Sequence, residues 1–266
     1  MASDDILEVK DLKVWFPLKK GVFSRTTGHV KAVDGISFSL RRGETLGVVG
    51  ESGCGKSTMS RAILGLVKPN GGEILFNGRS LGTMSRREVA QKIQVVFQDP
   101  LASLNPRHTV VEVLTEGMIY HGLCKKSQAR DRGAQLLERV GLGADALDRY
   151  PHEFSGGQRQ RICIARAIAL EPELLICDEA VSALDLSIRA QMLDLLRGLK
   201  EKLGLSVMFI SHDIGVVQHI SDRMIVMYRG KIVERGTCDE VIGNPTEAYT
   251  KSLIDSVPRI RGLERP

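Results

Sequence analysis

The chain has 266 residues, 42% of them hydrophobic and 26% charged, so it can bury a full core as one large domain or as two lobes. No apolar run approaches the roughly 20 residues that cross a bilayer, and the acidic start at Asp4 and Asp5 is unlike a secretion signal, so we expect a cytoplasmic protein. The net charge of +5 is spread along the chain without a basic block, and we therefore expect no nucleic-acid partner.

Two alternating apolar segments near the start, residues 6–16 and 33–40, predict a pair of antiparallel strands and hence a small β lobe. The basic, glycine-containing segment between them, residues 18–29, is expected to be a long loop. Trp15 and Phe16 end the first predicted strand. Either ring could stack on a nucleotide base, although aromatic side chains are most often packing residues.

A glycine-rich segment then predicts a phosphate-binding loop. Residues 50–57 fit the pattern G-x-x-x-x-G-K-[ST] and are followed by a predicted helix, residues 59–66. Backbone N–H groups of such a loop face the phosphates, while Lys56 would meet the β- and γ-phosphates and Ser57 would hold Mg²⁺. The predicted nucleotide-binding residues are Gly50, Glu51, Ser52, Gly53, Cys54, Gly55, Lys56, Ser57 and Thr58. Kinases, GTPases, helicases and transport ATPases all use such a loop.

The middle of the chain is predicted to be mostly helical. A short strand, residues 93–97, is followed by Gln98, and the apolar spacing from residue 109 to about 150 predicts an inserted helical lobe. A Ser-Gly-Gly-Gln segment, residues 155–158, then opens a helix over residues 159–170 with free N–H groups at its start.

Asp178 and Glu179 end an apolar run, residues 174–177, which predicts a buried parallel strand whose carboxyl end reaches the ligand crevice. There Asp178 would hold Mg²⁺, directly or through water, and Glu179 would orient or deprotonate a water molecule beyond the γ-phosphate. The alternative is a strand with an acidic cap, which would be favoured if the phosphate-binding loop were absent. Since that loop is present, we favour the metal ligand and the general base.

Another predicted buried strand, residues 206–211, ends at His212. A single histidine is usually structural, yet one at this end of a strand in a phosphate-loop sheet can reach the γ-phosphate. Residues 224–228 and 231–234 predict a hairpin, and the tail after Gly236 is expected to be mostly helical.

Together these motifs resemble the nucleotide-binding subunits of ABC transporters. In chain order they are GESGCGKST at residues 50–58, Gln98, FSGGQRQR at residues 154–161, LLICDE at residues 174–179, SALD at residues 182–185, and His212. The Ser-Gly-Gly-Gln segment is the specific signal, because other phosphate-loop enzymes lack it. The resemblance extends from about Leu7 to Pro258.

The resemblance implies a dimer in which two such domains hold two ATP molecules head to tail. The Ser-Gly-Gly-Gln segment of one subunit would then meet the γ-phosphate that the other subunit binds. The residues implied to reach across the interface are Ser155, Gly156, Gly157, Gln158 and Asp185.

The resemblance also assigns roles within one subunit. Gln98 would touch Mg²⁺ and the attacking water, His212 would sense the γ-phosphate, and Phe16 rather than Trp15 would stack on adenine. The implied catalytic residues are Lys56, Gln98, Glu179 and His212, and the implied metal ligands are Ser57, Gln98 and Asp178.

Three segments narrow the resemblance to the dipeptide, oligopeptide and nickel import group: residues 18–29, 96–107 and 244–258. The Asn-Pro-Arg ending of the second segment is similar to the second, F-type ATPase of that group. Two residues depart from the usual pattern, since Phe154 replaces a Leu and Ala180 a common Pro. Both changes are mild and leave the chemistry intact.

The implied fold class is α/β, with a phosphate-loop NTPase core, a small antiparallel β lobe and an inserted α-helical subdomain. We expect a single ABC ATPase domain over residues 1–266. Its ATPase core with the β lobe would take about 6–97 and 172–236, the helical subdomain about 98–171, and a short C-terminal tail about 237–266.

The implied function is ATP hydrolysis, with ATP and Mg²⁺, that powers import of peptides or a related small solute; nickel import is the alternative. The implied partners are a second, non-identical ABC ATPase subunit, two transmembrane permease subunits and an extracytoplasmic solute-binding protein. The chain would then be peripheral, at the cytoplasmic face of the cell (inner) membrane. A soluble ABC ATPase acting on ribosomes or in DNA repair would usually carry two cassettes or a long coiled coil. A nucleotide kinase would not explain the Ser-Gly-Gly-Gln segment.

Overall fold

The structure, a computed structural model, describes residues 4–20 and 25–256, and its strands form two sheets. The strands are β1 (Asp5–Lys20), β2 (Arg25–Arg41), β3 (Thr45–Val49), β4 (Gly71–Phe76), β5 (Arg79–Ser80), β6 (Ile93–Val96), β7 (Leu174–Asp178), β8 (Ser206–Ser211), β9 (Arg223–Tyr228) and β10 (Lys231–Thr237). The helices are α1 (Lys56–Ile63), α2 (Arg86–Lys92), α3 (Pro100–Ser103), α4 (Val110–His121), α5 (Ala129–Arg139), α6 (Gly156–Ile168), α7 (Leu186–Leu203), α8 (Ile214–Ile220), α9 (Cys238–Gly243) and α10 (Ala248–Asp255). No helix in these ranges is both long and apolar enough to cross a membrane.

The larger sheet brings several motifs to one edge. Its strand order is β10-β9-β3-β8-β7-β6, and β9, β3, β8, β7 and β6 run parallel. Every residue of β3, β7 and β8 is buried, which agrees with the continuous apolar runs expected of strands covered on both faces. Because parallel strands share one carboxyl edge, the segments that follow β3, β6, β7 and β8 meet there.

The smaller sheet is antiparallel, with the order β2-β1-β4-β5. Its first two strands form a ribbon that extends past the sheet, with Phe16 opposite Val30 and Leu18 opposite Gly28. The prediction of a loop over residues 18–29 is therefore wrong where the structure describes this segment, and residues 21–24 lie outside the described ranges. Cross-strand pairing rather than local composition extends the ribbon, because it supplies partners for the backbone N–H and C=O groups.

A helical lobe containing α3 to α6 lies between β6 and β7. In α4 the Thr109 N–H donates to the Glu112 carboxylate at 2.8 Å, and the helix ends at Gly122 with φ of 76°. The apolar residues at helical spacing in this lobe are buried, namely Val110, Val113, Leu114, Met118, Leu136, Leu137 and Val140. The tail carries α9 and α10, as expected; residues 257–266, which include the end of the segment 244–258, lie outside the described ranges.

Two predicted helices begin three residues earlier than expected. The helix predicted at 59–66 is α1, which begins at Lys56, and the one predicted at 159–170 is α6, which begins at Gly156. The glycine-rich segments before the predicted starts, of which residues 50–57 were predicted to be a loop, lead directly into the first turn. N–H groups of a first turn have no partner within the helix, so they remain available to a ligand.

Glu173, just before β7, connects the smaller sheet to the core. Its carboxylate accepts hydrogen bonds from Lys92 at 2.5 Å, Asn77 at 2.9 Å and Arg42 at 3.2 Å. Burial opposes ionisation, but the three hydrogen bonds outweigh it and lower the pKa of Glu173 below its ordinary value of 4.5. The Glu173 carboxylate thus joins Arg42 and Asn77, which follow strands of the smaller sheet, to Lys92, which precedes β6 of the larger sheet, through charge-assisted hydrogen bonds.

Replacing Glu173 with Gln should lower the free energy of unfolding at pH 7 by about 1 kcal/mol, since water screens these partly exposed pairs. Folding lowers the pKa of Glu173, so its contribution is complete above the unfolded value of 4.5 and is lost as the pH falls through the folded value. Urea unfolding of the wild type and of Glu173→Gln should show the difference in the free energy of unfolding shrinking as the pH falls through the folded pKa of Glu173. The control is Glu138→Gln, since Glu138 is exposed and has no ion pair in the described ranges; an equal loss there would contradict the assignment.

Candidate active site

The phosphate-binding loop joins β3 to α1 and encloses the Lys56 side chain. Lys56 is 4% exposed, and its Nζ donates to the carbonyl oxygens of Gly50 at 2.6 Å and Glu51 at 2.9 Å. None of the ion pairs in the described ranges includes Lys56. A buried ammonium group without a carboxylate is unfavourable unless an anion approaches it, and this site therefore fits a phosphate group.

Two positions of this loop require glycine because backbone atoms of other strands lie too close for a side chain, and one of them also because of its positive φ. A Cβ on Gly50 would lie 2.2 Å from the Met227 carbonyl oxygen, in β9. A Cβ on Gly55, where φ is 112°, would lie 2.2 Å from the Ala32 carbonyl oxygen, in β2. Backbone atoms of β9 and β2 cannot move aside as a flexible side chain can. Only glycine therefore fits at these two positions, where the loop packs directly against both strands.

Asp178 ends β7 beside the start of α1. Its two carboxylate oxygens accept hydrogen bonds from the hydroxyls of Ser57 at 3.3 Å and Ser60 at 3.1 Å. Burial raises the pKa of Asp178 above its ordinary value, against the effect of these hydroxyls. Carboxylate and hydroxyl oxygens are hard ligands of the kind that Mg²⁺ takes, so the group fits the predicted metal. The sequence analysis missed Ser60, which lies one turn after Ser57 on the same helix face.

Glu179 follows Asp178 in an uncommon backbone conformation, with φ of 52°. Its N–H donates to the Ile210 carbonyl oxygen of β8 at 2.9 Å, which holds the conformation. Its carboxylate lies 3.2 Å from Nδ1 of His212, the residue after β8. The parallel neighbours β7 and β8 thus bring these two side chains together across 33 residues of sequence.

One cleft of about 840 Å³ contains these groups. The predicted site residues that line it are Glu51, Ser52, Ser57, Gln98, Asp178, Glu179 and His212. It is also lined by seven residues that were not predicted as site residues, namely Arg61, Phe97, Asp99, Ala102, Ser103, Leu253 and Ser256. Arg61 lies in α1 one turn after Ser57 and is readable from helical spacing, whereas no local pattern connects Leu253 or Ser256 to this cleft.

The Ser-Gly-Gly-Gln segment lies outside this cleft. Ser155 and Gln158 cap the start of α6 reciprocally, since each backbone N–H donates to the other residue's side chain, at 3.0 and 3.3 Å. Space is open around Gly156, while a Cβ on Gly157 would lie 2.8 Å from Ile188 of α7. Asp185, at the start of α7, is exposed as well. In the described part of the chain, none of these five residues lines the cleft that is lined by Ser57 and Glu179.

The two candidate stacking rings differ in their surroundings. The Trp15 indole Nε1 donates to Asp34 at 3.2 Å, and the Lys31 ammonium lies 4.8 Å from the ring centroid. The Phe16 ring is 42% exposed. Phe16 is therefore the more exposed of the two candidate residues.

A parallel sheet that converges on a phosphate-binding loop, with an inserted helical lobe, defines a nucleotide-binding cassette. Comparison with known proteins gives its family: the sequence model of the ABC transporter family matches residues 33–182. The chain belongs to the ABC transporter family, and the predicted fold class and family are confirmed.

Relatives at about half identity cover nearly the whole chain. The chain is 52% identical to the oligopeptide transport ATP-binding protein AppF of Bacillus subtilis, over 97% of this chain and 80% of that protein. It is 54% identical to the oligopeptide transport ATP-binding protein OppF of Salmonella typhimurium, over 95% and 78%. It is 48% identical to the dipeptide transport ATP-binding protein DppF of Escherichia coli, over 98% and 78%.

Solved structures show the same fold. CbiO1 of Clostridium perfringens, part of an ABC transporter complex, superposes with a TM-score of 0.77 at 29% identity, over 91% of this chain and 92% of that one. A dimeric ATP-binding cassette in a post-hydrolysis state with ADP and Pi superposes with a TM-score of 0.76 at 28% identity, over 87% and 98%. The predicted identity of this chain as an ATP-binding subunit of the transport ATPases is thus confirmed.

Replacing Phe16 with Ala should weaken ATP binding by the roughly 1–3 kcal/mol of one base–aromatic stack, or about 5- to 150-fold in Kd. Phe16→Trp keeps an aromatic face and should stay near wild type. Isothermal titration of the full chain with Mg-ATP measures both. Unchanged affinity in Phe16→Ala, together with a loss in Trp15→Ala, would assign the stack to Trp15 instead.

Proposed function

We propose that this chain hydrolyses ATP as one half of a heterodimeric ATPase that drives peptide import. The observation that carries the proposal is a divided site. Ser57, Asp178 and Glu179 line one cleft, whereas the Ser-Gly-Gly-Gln segment lies outside it on an open surface. One chain therefore offers half of each of two composite sites.

Within its own cleft the chain supplies the binding and acid–base groups. Lys56 binds the β- and γ-phosphates, and Ser57, Gln98 and Asp178 hold Mg²⁺. When bound, the metal neutralises the charge that develops on the phosphate oxygens. The raised pKa of Asp178 is consistent with a site built for a cation, because a nearby positive charge would restore its ionised form.

Glu179 acts as the general base for the attacking water. His212 lies 3.2 Å from its carboxylate, close enough to orient it and to contact the γ-phosphate as a sensor. Both residues directly follow buried neighbouring strands, which position their backbones close to each other.

The second half of each site comes from a partner subunit. Ser155, Gly156, Gly157 and Gln158 would contact the γ-phosphate bound by the partner, and Asp185 would lie in the interface. Gly156 is exposed and has open space beside it, so a ligand has room to approach the start of α6. The sequence features of an F-type ATPase favour a non-identical partner over a homodimer.

The helical lobe would connect the cleft to the transport machinery. Gln98 precedes α3, and α3 contacts α6: the Ser103 hydroxyl lies 3.3 Å from the Cys163 thiol, and Arg166 donates to the Ser103 carbonyl oxygen. We propose the division into core (about 6–97 and 172–236), helical subdomain (about 98–171) and tail (about 237–266) on this basis. Nucleotide-driven movement of the lobe would pass to two permease subunits.

The names of the relatives favour dipeptides or oligopeptides as the cargo, with nickel as the alternative. In this assembly the chain lies at the cytoplasmic face of the membrane, bound to the permeases, with an extracytoplasmic solute-binding protein on the other side.

Cells that lack this chain should lose uptake of a labelled oligopeptide and regain it with the wild-type gene. A loss of Ni²⁺ uptake with normal peptide uptake would favour the alternative.

Replacing Glu179 with Gln keeps the shape and a hydrogen-bonding side chain but removes the base. ATP should still bind and close the dimer, while hydrolysis falls by about 10²- to 10⁴-fold. Size-exclusion chromatography with Mg-ATP should show a trapped dimer, formed best with the second ATPase and the permeases present. Glu201→Gln, an exposed carboxylate in α7, serves as the control. Wild-type hydrolysis in Glu179→Gln, or a monomer even with the partners, would remove Glu179 from this role.

The divided site gives a separate prediction for Ser155. Ser155→Arg places a long cation on the proposed interface, away from the chain's own cleft, so the isolated chain should bind Mg-ATP as wild type does. ATP-dependent dimerisation and hydrolysis should be lost. Gly198→Arg is the matched control, because nothing lies within 4 Å of a Cβ added there. A dimer that forms normally in Ser155→Arg would contradict the composite site.

A further inference from the structure

The C-terminal helix α10 is held against the core at its first turn. The Glu234 carboxylate, in β10, accepts hydrogen bonds from the Thr246 N–H at 2.6 Å, the Thr246 hydroxyl at 2.9 Å and the Glu247 N–H at 3.3 Å. Thr250 and Leu253, on the inner face of the helix, are buried. The helix is therefore an ordered part of the domain, with a fixed position relative to the larger sheet.

From this position Tyr249 reaches the phosphate-binding loop. Its hydroxyl oxygen accepts a hydrogen bond from the Glu51 N–H at 2.9 Å, across 198 residues of sequence. Its ring packs against Tyr228, at the end of β9, with ring centroids 4.2 Å apart. Leu253 and Ser256, further along α10, line the same cleft as the predicted catalytic residues.

Glu51 is held from both sides of its backbone. Tyr249 accepts from its N–H, while its carbonyl oxygen accepts from the Lys56 ammonium at 2.9 Å. The two hydrogen bonds fix the residue that supports one side of the Lys56 side chain. Burial raises the pKa of the Tyr249 hydroxyl above its ordinary value of 10.0.

We propose that Tyr249 is a positioning residue for ATP binding: through the Glu51 N–H it holds the phosphate-binding loop, and with it Lys56, in the form that receives the phosphates. The inference rests on the proposed function, because it assigns Tyr249 to the same nucleotide site. Without the hydroxyl the Glu51 N–H loses its partner, and the loop gains other conformations that ATP binding must then exclude. The groups that act on the water, Glu179 and His212, have no contact with Tyr249 among the described hydrogen bonds.

The test is Tyr249→Phe, which keeps the ring and removes only the hydroxyl. The matched control is Tyr228→Phe in the same ring pair, because the Tyr228 hydroxyl has no hydrogen bond in the described part of the chain. We expect Tyr249→Phe to raise the Kd of Mg-ATP for the full chain about three- to tenfold, the effect of one neutral hydrogen bond. In the assembled transporter KM for ATP should rise by a similar factor with kcat unchanged. Tyr228→Phe should match wild type in both.

A second measurement separates positioning from packing. Hydrogen exchange at the Glu51 amide should be slow in the wild type and in Tyr228→Phe and faster in Tyr249→Phe, while amides of β3 and β8 keep their wild-type rates. Wild-type Kd together with wild-type exchange at Glu51 in Tyr249→Phe would overturn the inference and leave the proposed function standing. A wild-type chain that binds no Mg-ATP would instead overturn the proposed function and this inference with it.

Discussion

Lys56 carries its ammonium group into a nearly closed space, where its acceptors are the carbonyl oxygens of Gly50 and Glu51. Carbonyl dipoles replace part of the lost hydration, but they do not neutralise a full positive charge. The site is therefore complementary to an anion before any ligand arrives. The close approach of strand backbones to Gly50 and Gly55 maintains this arrangement, because neither glycine could carry a side chain there. The chemistry of the cleft requires that Asp178, Glu179 and His212 be held in defined positions relative to this buried charge.

The larger sheet supplies that placement. Asp178 ends β7, Glu179 follows β7, and His212 follows β8. Both strands are buried along their whole length, so these backbones have little freedom to move. The left-handed conformation of Glu179 is held by the β8 backbone, which directs the side chain toward His212. A rigid sheet thus positions the groups for chemistry, while the helical lobe and the open start of α6 form the parts that would meet other subunits. This division suits an ATPase that must close on a partner and open again in each cycle.

The tail adds a constraint on the same loop from the opposite end of the chain. Tyr249 lies in a helix that Glu234 anchors to β10, so the position of the Glu51 N–H depends on how β10 and α10 are packed. Glu234 has a pKa below its ordinary value: burial opposes this shift, and hydrogen bonds from the first turn of α10 outweigh it. The nucleotide site of this chain is consequently sensitive to the tail as well as to the sheet.

The sequence by itself determined the phosphate-binding loop, the buried strands and their terminal carboxylates, because each depends on residue types at fixed short spacings. It determined the fold class through the order of these motifs. It did not determine the ribbon over residues 18–20 and 25–29, since pairing between two strands outweighs local composition there. For Ser60 as a partner of Asp178 the only signal was its helical spacing from Ser57, and for Tyr249 as a partner of Glu51 there was none. These contacts join residues more than 100 positions apart, and only the packing of α1 on β7 and of α10 beside the loop brings their polar atoms within hydrogen-bonding distance.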